Sequence, residues 1–268
     1  MIVAELRTFY ERPESERKFD PAIHEQLLQK LEAGEVRAAE LGSDGVWKAV
    51  TWVKAAILAG FRSTSLTDIS YGGFPNFDKA AYPPRQLNLA NNIRLVPFGA
   101  TIRRGAYVAK GVIVMPPSYI NVGAYVGEGT LVDSHALVGS CAQIGARVHL
   151  SAAAQIGGVL EPSGAVPVVV EDDAFVGGLV GLFEGIVVRK RAVLAPGVTL
   201  TASTVIYDLV NGRELKREVP EGAVVVPGTR PASGEFARSR GLSVNAPLIV
   251  KYRDARTDAV TALEGSLR

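Results

Sequence analysis

A period of six governs the middle of this chain. Stepping from Val96 in sixes gives Val96, Ile102, Val108, Val114, Ile120, Val126, Val132, Val138, Ile144, Leu150 and Ile156, aliphatic without exception. Four residues after each of the first ten stand Ala100, Ala106, Val112, Ser118, Ala124, Thr130, Ala136, Ala142, Val148 and Ala154, all small or β-branched. The phase breaks and resumes at Val170, Val176, Leu182, Val188, Leu194, Leu200 and Ile206, with small partners from Ala174 to Thr204. A unit with one large aliphatic and one small residue fits a triangular prism in which each short strand forms one side and three units complete a coil. The aliphatic residue fills the interior, the small one sits where the wall turns, and stacked coils satisfy each other's backbone groups. This predicts a parallel β-helix. A β-sandwich would instead show alternating runs with turns every 8 to 12 residues or so.

The spacing resembles the left-handed, hexapeptide form of that fold, so the expected class is mainly β. The β-helix is expected over 93–208. An external loop at about 157–167 is marked by Gly157-Gly158, Pro162 and Ser163-Gly164. Ahead of it, 1–92 reads as a small helical domain and connector. Asp20 caps a helix that starts at Pro21, buries Ile23, Leu27, Leu28 and Leu31 and stops at Gly34, and a second apolar face runs from about Val50 to Phe61. Tyr71-Gly-Gly-Phe-Pro75 and Tyr82-Pro-Pro84 predict an irregular connector. After Ile206 the period stops. The remainder, 209–268, is expected to cap the open end with short strands at Val224–Val226 and Leu248–Val250.

Composition excludes several function classes. Lys plus Arg number 29 against 27 Asp plus Glu, so no charge excess points to nucleic acid or an anionic membrane. No run of about 18 apolar residues predicts a membrane span. The single cysteine, Cys141, and a charged N-terminus fit a cytoplasmic protein. Three scattered histidines, His24, His135 and His149, predict no metal site.

Val122-Gly-Ala-Tyr-Val126, Gly129-Thr-Leu-Val-Asp133, Val138-Gly-Ser-Cys-Ala-Gln-Ile-Gly145 and Ile156-Gly-Gly-Val-Leu-Glu-Pro162 together resemble the tetrahydrodipicolinate N-succinyltransferase family. The likeness continues upstream through Trp47, Trp52, Lys54 and Phe61-Arg62. Downstream it runs through Val219–Val226 and Ile249-Val-Lys251, leaving only the first twenty residues outside. The resemblance implies a homotrimer with active sites between neighbouring β-helices. It also implies acyl transfer from succinyl-CoA, a co-substrate rather than a bound cofactor, to a small amino dicarboxylate of lysine and diaminopimelate synthesis. It places the catalytic aspartate at Asp133, the carboxylate-binding arginine at Arg94 and a phosphate-binding lysine at Lys251. The chain departs from the family where Gly181 replaces a glutamate, Leu179-Val180 an Arg-Ser pair and His135 a tryptophan.

Acyl transfer to an amine needs an uncharged nitrogen and a group to take its proton. Asp133 follows an interior aliphatic and is expected to point outward as proton acceptor, with His135 two residues on as a substitute for the lost glutamate. Arg94, and Arg104 beside it in chemistry, offer the fork that clamps carboxylates. Gly157, Gly158 and Gly177 leave room for a pantetheine arm against the wall. Loss of the Arg-Ser-Glu side chains makes that wall smaller and more apolar, which suits acetyl-CoA as an alternative donor. A divergent branch serving tabtoxin-type β-lactam biosynthesis and a non-catalytic β-helix scaffold are the competing expectations.

Overall fold

The computed structural model describes residues 1–70 and 72–254. Tyr71 of the expected connector and residues 255–268 of the expected cap lie outside the described residues. Residues 94 to 226 wind into a left-handed prism of three walls built from strands two to four residues long. The first wall stacks Tyr107–Val108, Tyr125–Val126, Gln143–Ile144, Val169–Val170, Val187–Val188 and Glu218–Val219. The second begins at Arg94–Leu95 and climbs through Leu131–Val132 and His149–Leu150 to Val193–Leu194 and Ala223–Val226. The third runs from Ala100–Ile102 through Leu137–Val138 and Gln155–Ile156 to Thr199–Leu200. Neighbouring rungs pair in parallel, Val126 with Ile144 and Val132 with Leu150, so one coil takes eighteen residues. The aliphatic residue that closes each strand from Ile102 to Leu200 points inward, and Val126, Val132, Val138, Ile144, Leu150 and Ile156 are fully buried.

The corners show the same period in backbone conformation. Gly123, Gly129, His135, Cys141, Arg147 and Ala153 follow at steps of six, all with φ between 55° and 74°. A non-glycine residue there costs on the order of 1 kcal/mol, offset by the packing on either side. Glycine is required where another element presses on the corner. A Cβ on Gly123 would meet Ile57 Cδ1 at 2.8 Å, and one on Gly105 would meet Leu28 Cδ2 at 2.9 Å.

Those two contacts seat the N-terminal domain. The helices are α1 (Val3–Glu11), α2 (Pro21–Glu32) and α3 (Thr51–Ser63). Asp20 caps α2, its Oδ1 accepting from the amides of Ala22 and Ile23. Leu6, Tyr10, Leu27, Leu31, Val53 and Ile57 form one core that also takes in Val122 and Cys141 of the prism. α1 lies within the expected helical domain, where no individual helix was predicted. The connector is also more regular than expected, since Leu66–Asp68 and Phe77–Lys79 pair as an antiparallel hairpin. Tyr82 is buried behind it and donates its hydroxyl to Ile57 O at 2.6 Å.

Two insertions interrupt the coil. Ile144 pairs with Val170, a step of 26 where an unbroken coil takes 18, so the external loop inserts eight residues after Ile156. Lys54 of α3 holds it: the side chain is fully buried, and Nζ donates to Pro162 O at 3.2 Å and Ala165 O at 2.6 Å. Val188 pairs with Val219, a step of 31. Between them Val205–Asp208 leaves the prism and turns back antiparallel onto Arg213–Lys216. Asp208 secures that turn, accepting from Asn211 Nδ2 (2.8 Å), Arg213 Nε (3.0 Å) and the Tyr252 hydroxyl (2.8 Å). Although burial opposes its charge, these donors hold its carboxyl down at about 2. Leu248–Tyr252 then runs antiparallel beside Ala223–Val226.

Candidate active site

The second wall and the edge where it passes into the third collect five of the eight expected site residues. Asp133 follows Val132 at that edge. Its amide donates to Leu150 O (2.9 Å) and its carbonyl accepts from Ala136 N (3.1 Å), which fixes the backbone. Its Oδ1 accepts from Ser134 N at 2.7 Å, and the side chain is half-buried. One carboxylate oxygen is thereby oriented by the turn. His135 occupies the corner of the same turn with φ 63° and an exposed ring. Its amide donates to Pro117 O, and its carbonyl accepts from Gln155 Nε2 at 3.1 Å.

Arg94 stands on the first rung of the second wall, exposed, in the strand Arg94–Leu95. Leu95 pairs with Val114 and Val114 with Val132, so Arg94 and the Asp133 turn lie two rungs apart, about 10 Å along the wall. Gly177 follows Val176 at the edge position that Asp133 takes after Val132, two rungs further up. Lys251 pairs with Val224 at the top of the same wall. A single face therefore carries, in order, a cation, a carboxylate, a side-chain-free backbone and a second cation.

The remaining three residues lie elsewhere. Gly157 and Gly158 leave the third wall where the external loop departs, and both are demanded by packing. A Cβ on Gly157 would meet Phe183 Cδ1 at 2.7 Å, and one on Gly158 would meet Ser140 N at 2.7 Å. Gly177 is equally tight against Leu194 O and Pro196 N, 2.7 Å each. Arg104 faces α2, its Nε donating to Glu32 Oε1 at 2.6 Å and its Nη2 to Glu25 Oε1 at 2.8 Å. Burial works against its charge, but the two carboxylates outweigh it and raise its pKa. Its fork is spent on anchoring the helical domain.

Phe183 is the residue that sequence reasoning overlooked. A Cβ on Gly181 would lie 2.6 Å from Phe183 Cε2, so the ring covers both Gly157 and Gly181 and fills the place a side chain at 181 would occupy. The pairing of an aromatic with the Gly181 departure, two residues on and just past the strand Gly181–Leu182, was the available signal. Glu184 beside it accepts from Ala202 N at 3.1 Å. Among the described residues no three His, Cys, Asp or Glu side chains gather as a metal site. No helix among them is long and apolar enough to cross a membrane.

Comparison with known proteins bears on the family and the fold. Residues 6–63 match the family model described as tetrahydrodipicolinate N-succinyltransferase N-terminal, so the likeness reaches into the first twenty residues. A 2,3,4,5-tetrahydropyridine-2,6-dicarboxylate N-succinyltransferase of Bradyrhizobium diazoefficiens is 46% identical over 250 residues, covering 91% of this chain and 88% of that protein. Proteins of the same name from Nitrobacter winogradskyi and Azoarcus sp. are each 45% identical with the same coverage. In structure, a Campylobacter jejuni chain described as a 2,3,4,5-tetrahydropyridine-2-carboxylate N-succinyltransferase superposes with a TM-score of 0.55 at 15% identity, over 91% of this chain and 65% of that one, a likeness of fold. With relatives this similar over nearly its full length, the chain belongs to the 2,3,4,5-tetrahydropyridine-2,6-dicarboxylate N-succinyltransferase family.

Proposed function

We propose that this protein is a CoA-dependent N-acyltransferase that acylates the amino group of tetrahydrodipicolinate in its open 2-amino-6-oxopimelate form, with succinyl-CoA as donor. The observation that carries the reading is the shared wall: Asp133 and Arg94 stand two rungs apart on one face of a chain whose relatives are named for this reaction. The amine nitrogen attacks the thioester carbonyl, the new C–N bond forms as the C–S bond breaks, and CoA leaves as its thiol. In this reading Asp133 takes the proton from nitrogen and His135, on the same turn, passes it on. Arg94 holds a substrate carboxylate by its fork, while Gly177 and Lys251 line the path of the donor toward its phosphates. A neighbouring copy in a trimer closes the face and excludes water from it.

Thiol release with enzymatically generated tetrahydrodipicolinate tests the assignment. We expect succinyl-CoA to be used at least tenfold better than acetyl-CoA. We also expect Asp133→Asn, folded, to keep less than a tenth of wild-type turnover, within the range of about 100-fold or more that a proton acceptor contributes. Preference for acetyl-CoA would reassign the donor to match the smaller, apolar wall at Gly181, and no turnover with either donor would overturn the reading.

A further inference from the structure

One cavity lies away from the Asp133 edge. It opens against the first wall, under the hairpin Ala39–Leu41 and Trp47–Ala49, with a volume of about 750 Å³. Its floor is aromatic: Tyr107 and Tyr125, on adjacent rungs, stack with ring centroids 4.5 Å apart and planes 24° apart. The guanidinium of Arg37 lies 3.7 Å from the Tyr125 centroid and 5.6 Å from that of Trp47. Only Nε of Arg37 is committed, donating to Gln143 Oε1 at 2.9 Å. Among the described residues no carboxylate oxygen comes within 4.0 Å of its nitrogens. Burial works against its charge, and Tyr125, Glu40 and Asp172 only partly compensate.

Two of the acidic groups beside it, Glu171 and Asp172, take hydrogen bonds from the chain. Glu171 Oε1 accepts from Trp47 Nε1 (2.9 Å) and Arg189 Nη1 (3.0 Å), and its Oε2 from Lys190 N (3.1 Å). Asp172 Oδ1 accepts from Ala146 N at 2.9 Å. Lys110 on the rim has only Glu128, 3.6 Å away. The groove therefore offers the Nη fork of Arg37 above an apolar, aromatic floor.

We propose that this groove is a second binding site, for a small organic carboxylate with an apolar body, held by the Nη fork of Arg37 and packed on Tyr125 and Trp47. A planar fork already laid on a tyrosine face loses little freedom when it takes a carboxylate in two parallel hydrogen bonds. The half-buried cation gains a carboxylate in direct contact, which the described residues do not provide. The site borders the exit of the first wall, whereas Asp133 marks the exit of the second, so a ligand here leaves the Asp133 face of the same chain open.

Trp47 emission reads the site directly. The probe is cyclohexanecarboxylate, which is transparent at the excitation wavelength, titrated into the intact protein without acyl-CoA. We expect a saturable change with a Kd of about 1–10 mM, the range for a fragment of this size. It should disappear in Trp47→Phe and weaken at least tenfold in Arg37→Gln. The double variant Lys110→Gln with Lys190→Gln, both at the rim, should weaken it about threefold and serves if Arg37→Gln does not fold. Cyclohexylmethanol and inorganic phosphate should each bind at least tenfold more weakly. Linear, non-saturating emission up to about 50 mM, equal binding by Arg37→Gln, or phosphate binding as tightly as the carboxylate would overturn the proposal.

Discussion

Replacing Lys54 by methionine separates the loop anchor from the rest of the fold. Nζ makes two hydrogen bonds, to Pro162 O and Ala165 O, and the side chain is wholly buried. Charge-assisted bonds of this kind are each worth about 1.5–3 kcal/mol. Burying an ammonium without a carboxylate costs several kcal/mol in return, so the net loss in Lys54→Met is expected at about 1–2 kcal/mol, or about 2–4 °C in Tm for a chain of this size. Lys54→Ala should lose about 2 kcal/mol more, because the methylene stem leaves a cavity. The local effect is larger than the global one: with two carbonyls released, exchange at the loop amides, that of Ala165 included, should accelerate at least tenfold while prism amides keep their protection. Burial lowers the Lys54 pKa. Between that lowered value and the usual 10.5 the unfolded chain binds more protons, so wild-type stability should rise with pH there and Lys54→Met should not follow. Unchanged loop exchange in both variants, measured by mass spectrometry, would refute the anchor.

Two further outcomes follow from named contacts. His24 is buried beside Tyr10 and its pKa falls to about 4 by desolvation; stability should decline as pH drops from about 6.5 to about 4, by about 3 kcal/mol in all, and level off below. Urea unfolding of His24→Phe should lose that component, and parallel pH curves for the two proteins would refute it. Gly181→Glu alone should cost about 1–3 kcal/mol, because its Cβ meets the Phe183 ring, and adding Phe183→Val should recover most of the loss; thermal melts of the two variants check this, and no recovery would refute the steric account.

The prism was legible because its interior admits one residue per strand, and a six-step count finds that residue without knowing what surrounds it. The count erred only where the coil is irregular. Leu95, not Val96, pairs with Val114, since the first coil takes one residue more than the regular eighteen. The period also outlasts Ile206: Val219 and Val225, six apart, pair with Val188 and Leu194 after the hairpin. A gap of 13 residues hid them. Helix α1 was missed because its buried face rests on just Leu6 and Tyr10. For the site, the turn that orients Asp133 could be read from its place after an interior valine. The commitment of Arg104 to Glu25 and Glu32 could not, because those partners lie 79 and 72 residues away.

The strand Leu248–Tyr252 runs against the direction of every rung beneath it on the second wall. A solenoid of identical rungs has no intrinsic length; any parallel segment of matching pattern, from the same chain or another, can in principle extend it. Three walls must grow together, so reversing polarity on one of them suffices to terminate the stack. The Asp208 cluster keeps that reversal in place by tying the hairpin to Tyr252. A protein built from the same kind of repeat as fibrous assemblies is thereby given a defined end.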